Sequence, residues 1–308
     1  PLPMLRATLS APIRKVPVAN PVAMPPSAFI DRLGRSAQIA AAIAAEADGE
    51  AALDAALDGL HGALQFEHVV VLLRDGERLT AADSRGYSAH GTGAQVTVGD
   101  GLIGMTAKTK RPIRLSDLRR AGMYAQASAG APEPIALPAL GQPRCQMAAP
   151  MLFRGQVRGV IFAESETGFA FGHQDEACLS LIANQLAAAL DLAEATAVDV
   201  VAPPPGPVVC PSGPPIRLRY YAHDDSVFID DDYLIKGVSG RLLYHFVTGY
   251  RETGRTDWSN REIRREGALK LPDVKDNVET RLILLRRRLD DKAGPICMPR
   301  PERREIRL

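Results

Sequence analysis

Side chains that can bond to nucleic acid recur through the last third of the chain, above all between residues 275 and 288. Arginine and asparagine can make paired hydrogen bonds to base edges, and threonine can contact the thymine methyl group. Arginines late in such a segment would lie nearer to phosphates than to bases. The candidates for contact with double-stranded DNA are Asn260, Arg261, Arg264, Lys275, Asn277, Thr280, Arg281, Leu284, Arg287, Arg288, Arg303 and Arg304.

A helix with one buried face would have to present these residues. Its apolar stripe recurs at spacings of three and four, at Val278, Leu282, Leu285 and Leu289. Ser259 with Glu262, and Asp276 with Glu279, have the spacing of a capping box, in which side chains satisfy the free backbone N–H groups of a helix start. We therefore predict that helices begin at both places.

The charge of the chain is divided unequally along its length. Residues 241–308 hold 17 Lys and Arg against 11 Asp and Glu, a net charge of +6, whereas the whole chain carries +1. The remainder therefore carries −5. A basic end on a slightly acidic body is expected where one module meets a polyanion. The same excess is common on other protein surfaces, so charge alone does not decide.

The order of predicted elements after the middle of the chain favours a small α/β module. Short strands in 216–237 precede three helices at about 238–252, 259–268 and 275–291, and a basic hairpin closes the chain. This order, with the apolar and basic rhythm of VETRLILLRRRL at 278–289, resembles the OmpR/PhoB-type winged helix-turn-helix domain. The resemblance covers about 216–308.

That resemblance implies that Glu279 and Thr280 lie at base edges, that Arg281 lies near a phosphate, and that Arg303 and Arg304 lie on the wing. The sequence departs from the family at 283–284, an Ile-Leu pair where polar or basic residues are usual. These aliphatic side chains suit either thymine methyl groups or a protein surface, and both alternatives stay open.

The first part of the chain alternates between strand and helix patterns. A strand, an Asp-Gly turn and a strand are predicted at 68–87, and a second hairpin at 145–165. A glycine-rich corner lies within 95–115, and an apolar helix follows at 171–195. The fold class is therefore α+β, with an antiparallel sheet and flanking helices.

The segment VTVGDGLIGMTAKTKRPIRLSD at 96–117, with the hairpin and helix that follow it, resembles the GAF domain over about 48–195. The resemblance implies a six-stranded sheet, a small-molecule pocket, and a homodimer formed through helices 51–64 and 175–195. The ligand-binding candidates are Tyr87, Leu102, Tyr124, Cys145, Met147, Phe162 and Glu164. The aliphatic and sulfur-bearing members of this set suit a hydrophobic core equally well.

Four segments follow from these patterns. Residues 1–26 are Pro/Ala-rich and expected to be disordered, and 27–197 hold an N-terminal helix and the GAF-like domain. Seven prolines between 201 and 215 predict a linker at 198–215, because proline ends both helix and sheet. The winged helix then occupies 216–308.

The motif search favours a binding protein over an enzyme. We find no phosphate loop, nucleophile elbow or zinc-protease motif, and the four cysteines are widely spaced. No cofactor, metal or membrane contact is expected, and a cytoplasmic location is the simplest setting. The leading hypothesis is a one-component transcription regulator. The alternative is a signalling adaptor whose winged helix binds a protein. A third possible function is that of a sulfoxide reductase that uses Cys145.

Overall fold

The computed structural model describes residues 26–88, 91–118, 135–197, 216–269 and 278–292, with 296, 298 and 306–307 near the C-terminus. The predicted linker and nearly all of the predicted disordered segment lie outside these residues. So do the site candidates Tyr124, Lys275, Asn277, Arg303 and Arg304. The side chains of Asn260 and Arg261 are likewise not described.

The N-terminal domain, residues 26–197, is built on a six-stranded sheet. Its strands are β1 (His68–Asp75), β2 (Arg78–Arg85), β3 (Gln95–Thr97), β4 (Ile113–Leu115), β5 (Cys145–Phe153) and β6 (Gln156–Ser165). They lie in the order β3-β2-β1-β6-β5-β4, and every neighbouring pair is antiparallel. The antiparallel sheet predicted from the sequence is confirmed.

Helices cover both faces of this sheet. They are α1 (Pro26–Ala45), α2 (Gly49–Asp58, continued by a π-helical turn at Gly59–Ala63), α3 (Gly101–Thr109) and α4 (His173–Ala197). The helices α1, α2 and α4 share one core with the first face, and α3 packs on the other. Since successive strand residues point to opposite faces, Val69 and Val71 enter the first core while Val70 and Leu72 enter the second.

The glycine-rich corner before α3 has a steric cause. A side chain at Gly104 would overlap the carbonyl oxygen of Thr97, so only glycine lets the helix approach the end of β3. Gly99 and Gly101 adopt positive φ angles of 101° and 57°. The corner therefore fixes where α3 lies over the sheet.

The helix α4 is long and apolar enough, by length and composition alone, to cross a membrane. Its side chains Leu179, Ile182 and Leu186 are buried in the core against the sheet. Packing within the domain therefore accounts for part of its hydrophobicity, whereas Leu181 and Leu192 are exposed.

The C-terminal module, residues 216–308, begins with a three-stranded antiparallel sheet. The strands are β7 (Leu218–Tyr221), β8 (Ser226–Ile229) and β9 (Asp232–Ile235). Then follow α5 (Val238–Thr253), β10 (Asp257–Trp258), α6 (Asn260–Arg265), a 3-10 turn (Gly267–Leu269), α7 (Val278–Lys292) and β11 (Ile306–Arg307). The strand β11 pairs antiparallel with β10, so the end of the chain returns beside the start of α6.

Two local predictions for this module are confirmed. Ser259 and Glu262 form both hydrogen bonds of the capping box at the start of α6. The stripe Val278, Leu282, Leu285 and Leu289 lies in the hydrophobic core of the module, beside Phe246 and Trp258. The second predicted capping residue, Asp276, lies outside the described residues.

Candidate functional site

The face of α7 opposite its core stripe carries arginines that pair with carboxylates of the N-terminal domain. Both terminal nitrogens of Arg281 donate to the carboxylate of Asp75, at the end of β1. Arg287 donates to Asp83 at 2.7 Å and to Asp54 at 2.8 Å. The helix therefore bonds simultaneously to strand β1, strand β2 and helix α2.

A fully buried ion pair lies behind these bonds. Nη1 of Arg286 is 3.4 Å from the Glu50 carboxylate, and the two side chains are only 3% and 1% exposed. Nε of Arg287 lies 3.2 Å from the other oxygen of Glu50. Burying a charge is costly unless an opposite charge compensates it, so these residues require one another.

An arginine of the N-terminal domain joins the same cluster. Arg85 bonds to Asp58 and Asp83 at 2.7 Å and to Asp54 at 3.0 Å. Although burial alone would lower the pKa of Arg85, its hydrogen bonds to Asp83 and Asp58 outweigh burial and raise the pKa. Asp54 and Asp83 are thus shared between Arg85 and Arg287, one cation from each module.

Apolar contacts complete the interface between the modules. Ile283 and Leu284 belong to the core of the N-terminal domain together with residues of α2 and α4. A Cβ atom placed on Gly49 would lie 3.1 Å from Leu190 and 3.4 Å from Ile283. Glycine at the start of α2 therefore permits the close approach of α4, and Ile283 of α7 lies at ordinary contact distance from the same position.

The N-terminus of α7 is held by α4. The backbone N–H of Glu279 donates to the Glu194 carboxylate at 3.0 Å. Arg264, on α6, forms an ion pair with the same carboxylate. A carboxylate is favourable at a helix N-terminus because it accepts from free N–H groups and opposes the helix dipole.

The structure contradicts the expectation that the front of α7 is open to a DNA duplex. Five candidates on α7 lie at or beside the interface instead, namely Thr280, Arg281, Leu284, Arg287 and Arg288. A sixth candidate, Arg264 on α6, pairs with Glu194 of the N-terminal domain. Arg288 donates to the Leu234 carbonyl oxygen at 2.8 Å, and burial lowers its pKa. The prediction assigned buried faces from apolar residues alone, whereas here an arginine face is buried because distant carboxylates compensate it.

The carboxylates Glu50, Asp54, Asp75, Asp83 and Glu194 were missed from the sequence. The one signal of them was the charge of −5 outside the basic C-terminal segment. It indicates that an acidic surface exists but not where it lies.

The sheet separates the ligand-binding candidates into two groups. Tyr87, Leu102 and Phe162 lie on the α3 side, and Glu164 shares their side by alternation along β6. Cys145 and Met147 lie in the core on the opposite side, with α2 and α4. The structure therefore corrects the prediction that all these residues line one pocket.

A polar cluster surrounds Glu164 on the α3 side. The buried carboxylate accepts from the backbone N–H of Leu140 at 2.7 Å and from the Gln146 amide at 3.1 Å. Burial, with the neighbouring Glu164 charge, raises the pKa of Tyr87. Its ring packs edge-on against His68 at 5.1 Å. Among the described residues, neither the Tyr87 hydroxyl nor Nδ1 of His68 has a hydrogen bond of normal geometry.

The environment of Cys145 does not favour thiol chemistry. The side chain is fully buried, and burial raises the pKa of the thiol. The reactive form of cysteine is the thiolate, which a raised pKa suppresses. Within the described residues, no group of His, Cys, Asp or Glu side chains is placed to hold a metal ion.

The family model "GAF domain" matches residues 46–191. These residues form a GAF domain. The mixed α/β fold and the six-stranded antiparallel sheet match this domain. No curated protein matches the chain.

Solved structures similar to this chain include other GAF domains. One, from an Acinetobacter phosphoenolpyruvate-protein phosphotransferase, is 19% identical, with a TM-score of 0.46, covering 56% of this chain and 98% of that one. The GAF domain of a phosphoenolpyruvate-protein phosphotransferase from Coxiella burnetii is 22% identical, with a TM-score of 0.45, and the match covers 55% of this chain and 97% of that one. A free methionine-R-sulfoxide reductase from Neisseria meningitidis, solved in complex with its substrate, is 20% identical. Its TM-score is 0.45, and the match covers 55% of this chain and 93% of that one.

Proposed function

We propose that the chain is a one-component transcription regulator, in which the GAF domain controls sequence-specific binding of double-stranded DNA by the C-terminal module. The observation that carries the proposal is the form of that module. A small sheet precedes three helices, the last helix buries one apolar face in its own module, and its other face is cationic. A helix of this kind suits the major groove.

Binding of DNA by α7 requires an arrangement different from the one described. The arginines of α7 bond to carboxylates, which carry negative charge and accept paired hydrogen bonds from arginine, as phosphate does. The helix must therefore leave the GAF domain before it can enter a groove. The other candidates would join α7 at the duplex, namely Asn260, Arg261, Arg264, Lys275, Asn277, Arg303 and Arg304.

The ligand of the GAF domain would bind at the polar cluster on the α3 side. Leu102 and Phe162 offer apolar walls there, and Glu164, Tyr87 and His68 offer polar groups. A small pocket with few polar groups is typical of ligand sites. The ligand controls DNA binding only if it binds the two arrangements with different affinity.

A homodimer would present two C-terminal modules to repeated half-sites. We propose that α4 contributes to it, since Leu181 and Leu192 of this helix are exposed. The helix α2 is unsuited to the role first expected of it, because α1, α4 and α7 pack against it and bury most of its residues.

The proposal is tested by titrating the full chain with DNA duplexes selected from a random pool. We expect affinity to fall steeply as salt rises, because phosphate contacts release counterions. Arg303→Ala with Arg304→Ala should weaken binding and lower the salt dependence. The matched control is Arg35→Ala with Arg154→Ala, which removes the same charge from the N-terminal domain. Equal affinities for the two double variants and the unaltered chain would count against the proposal.

A second candidate function is a signalling adaptor whose C-terminal module binds a protein. Ile283 and Leu284 favour it, since they already form an apolar contact with another domain. An apolar contact depends little on salt, so binding to such a partner should persist when salt is raised. Selection of no duplex by the full chain, with salt-resistant capture of one protein, would favour this function.

A further inference from the structure

The interface between the modules occupies the groups that α7 would use on a polyanion. Every nitrogen of the Arg287 guanidinium lies within 3.2 Å of a carboxylate oxygen, from Glu50, Asp54 and Asp83. Arg281 is bound by both oxygens of Asp75. While the interface is closed, the guanidinium nitrogens that bond to these carboxylates are not available to bond to phosphate.

We propose that the GAF domain competes in cis with duplex DNA for α7, so that the helix binds either the carboxylates or a duplex and never both. The four carboxylates Glu50, Asp54, Asp75 and Asp83 take the positions of phosphate groups. This inference rests on the proposed function, because it takes duplex DNA as the competing polyanion.

The apolar contacts explain why the closed arrangement is kept in the absence of DNA. Opening would return Ile283 and Leu284 to water and separate the buried Arg286 from Glu50. Exposure of apolar surface and isolation of a buried charge both oppose opening. Duplex binding must offset these costs, which lowers the apparent affinity of the whole chain.

Contacts also connect the polar cluster to α7. The segment 135–140 donates the Leu140 N–H to Glu164 at one end. At its other end, a Cβ atom placed on Gly93 would lie 3.0 Å from Ile135 and 3.6 Å from Arg288. Gly93 therefore lies close to both this segment and Arg288 of α7. A ligand that moves the segment would act on the interface through Gly93.

The experiment compares two substitutions in one hairpin of the full chain. Asp75→Asn removes the carboxylate that holds Arg281 and keeps the shape of the side chain. Glu77→Gln removes an equal charge two residues away, where the carboxylate faces solvent and pairs with Arg74. Affinity for a mixed-sequence duplex is measured at fixed salt, and hydrogen exchange of the α7 amides reports opening independently.

We expect Asp75→Asn to raise both α7 exchange and duplex affinity, the latter by about tenfold, because the open fraction rises. Glu77→Gln should change neither. Where Asp75→Asn alone leaves α7 closed, Asp54→Asn is added to it. Failure of the double variant to raise either quantity overturns the competition.

Two further outcomes separate the competition from the proposed function. If α7 exchange rises but the variant and the unaltered chain bind duplex equally well, the competition is wrong and DNA binding stands. If α7 exchange rises and neither protein binds a duplex at any salt concentration, both proposals are wrong, and the interface only joins two domains.

Discussion

At the residue scale, the arginines of α7 differ in how strongly they depend on their partners. Arg281 pairs with Asp75, Arg287 pairs with Glu50, Asp54 and Asp83, and Arg286 is the most deeply buried of the three. Exposed pairs contribute little to stability, whereas a buried charge that loses its partner is strongly destabilising. We therefore expect the contribution of each ion pair to stability to depend on how deeply it is buried rather than on the distance between its nitrogen and oxygen atoms.

We expect Arg286→Ala to lower the free energy of unfolding by about 3 kcal/mol, because Glu50 would stay buried with less compensation. Arg287 remains near Glu50 and limits the loss. Urea unfolding of the full chain measures it. Arg35→Ala, which breaks an exposed pair with Asp31, should cost at most about 1 kcal/mol. Equal effects of the two substitutions would contradict the importance of burial.

At the scale of elements, local structure was more predictable from the sequence than the question of which helix face is buried. The hairpins β1–β2 and β5–β6, the corner at Gly104 and the capping box of α6 each follow from residues close together in sequence. The burial of the arginine face of α7 could not be predicted in this way. Arg281 pairs with Asp75, which lies 206 positions earlier in the sequence, and no local pattern indicates that pairing. The separation of Cys145 and Met147 from Phe162 was predictable in principle, because alternation along paired strands sets the face of each side chain.

The capping box of α6 makes a testable contribution that depends on pH. Burial alone would raise the pKa of Glu262, but hydrogen bonds from the Ser259 backbone and from Arg255 outweigh it and lower the pKa. The resulting stability is present above the ordinary value of 4.5 and is lost as pH falls through the lowered pKa.

We expect Ser259→Ala to lower stability by about 1 kcal/mol at neutral pH, as for other helix caps. Glu262→Gln should flatten the decrease in stability on acidification. Thermal unfolding between neutral and acidic pH measures both effects. Glu266→Gln, which removes a charge at the other end of the same helix, is the control. An unchanged pH profile for Glu262→Gln would contradict the assigned role.

At the scale of the whole molecule, the two modules are held by charges of opposite sign. The positive charge of residues 241–308 and the negative charge of the remainder meet at α7. The excess that suggested an external polyanion is therefore partly balanced within the chain. The composition correctly predicted that the basic segment pairs with negative charge, but not that this charge lies on the N-terminal domain of the same chain.

Reversal of one pair tests this arrangement directly. Asp75→Arg and Arg281→Asp should each raise hydrogen exchange of α7, because each places like charges together. The double substitution should restore protection, since it rebuilds the pair with its charges exchanged. Exchange of the charges of Arg74 and Glu77, within the same hairpin, is the matched control and should leave α7 protected. A double variant as open as its parents would contradict the pairing.

The enclosure of α7 between two hydrophobic cores also limits how such a protein can diversify. A sensor domain taken from a distant homologue would lack the complementary carboxylates. A chimaera of that sensor with this C-terminal module would leave the arginines of α7 without compensating carboxylates. Recombination of the two halves is therefore expected to succeed only between lineages that have kept both surfaces matched.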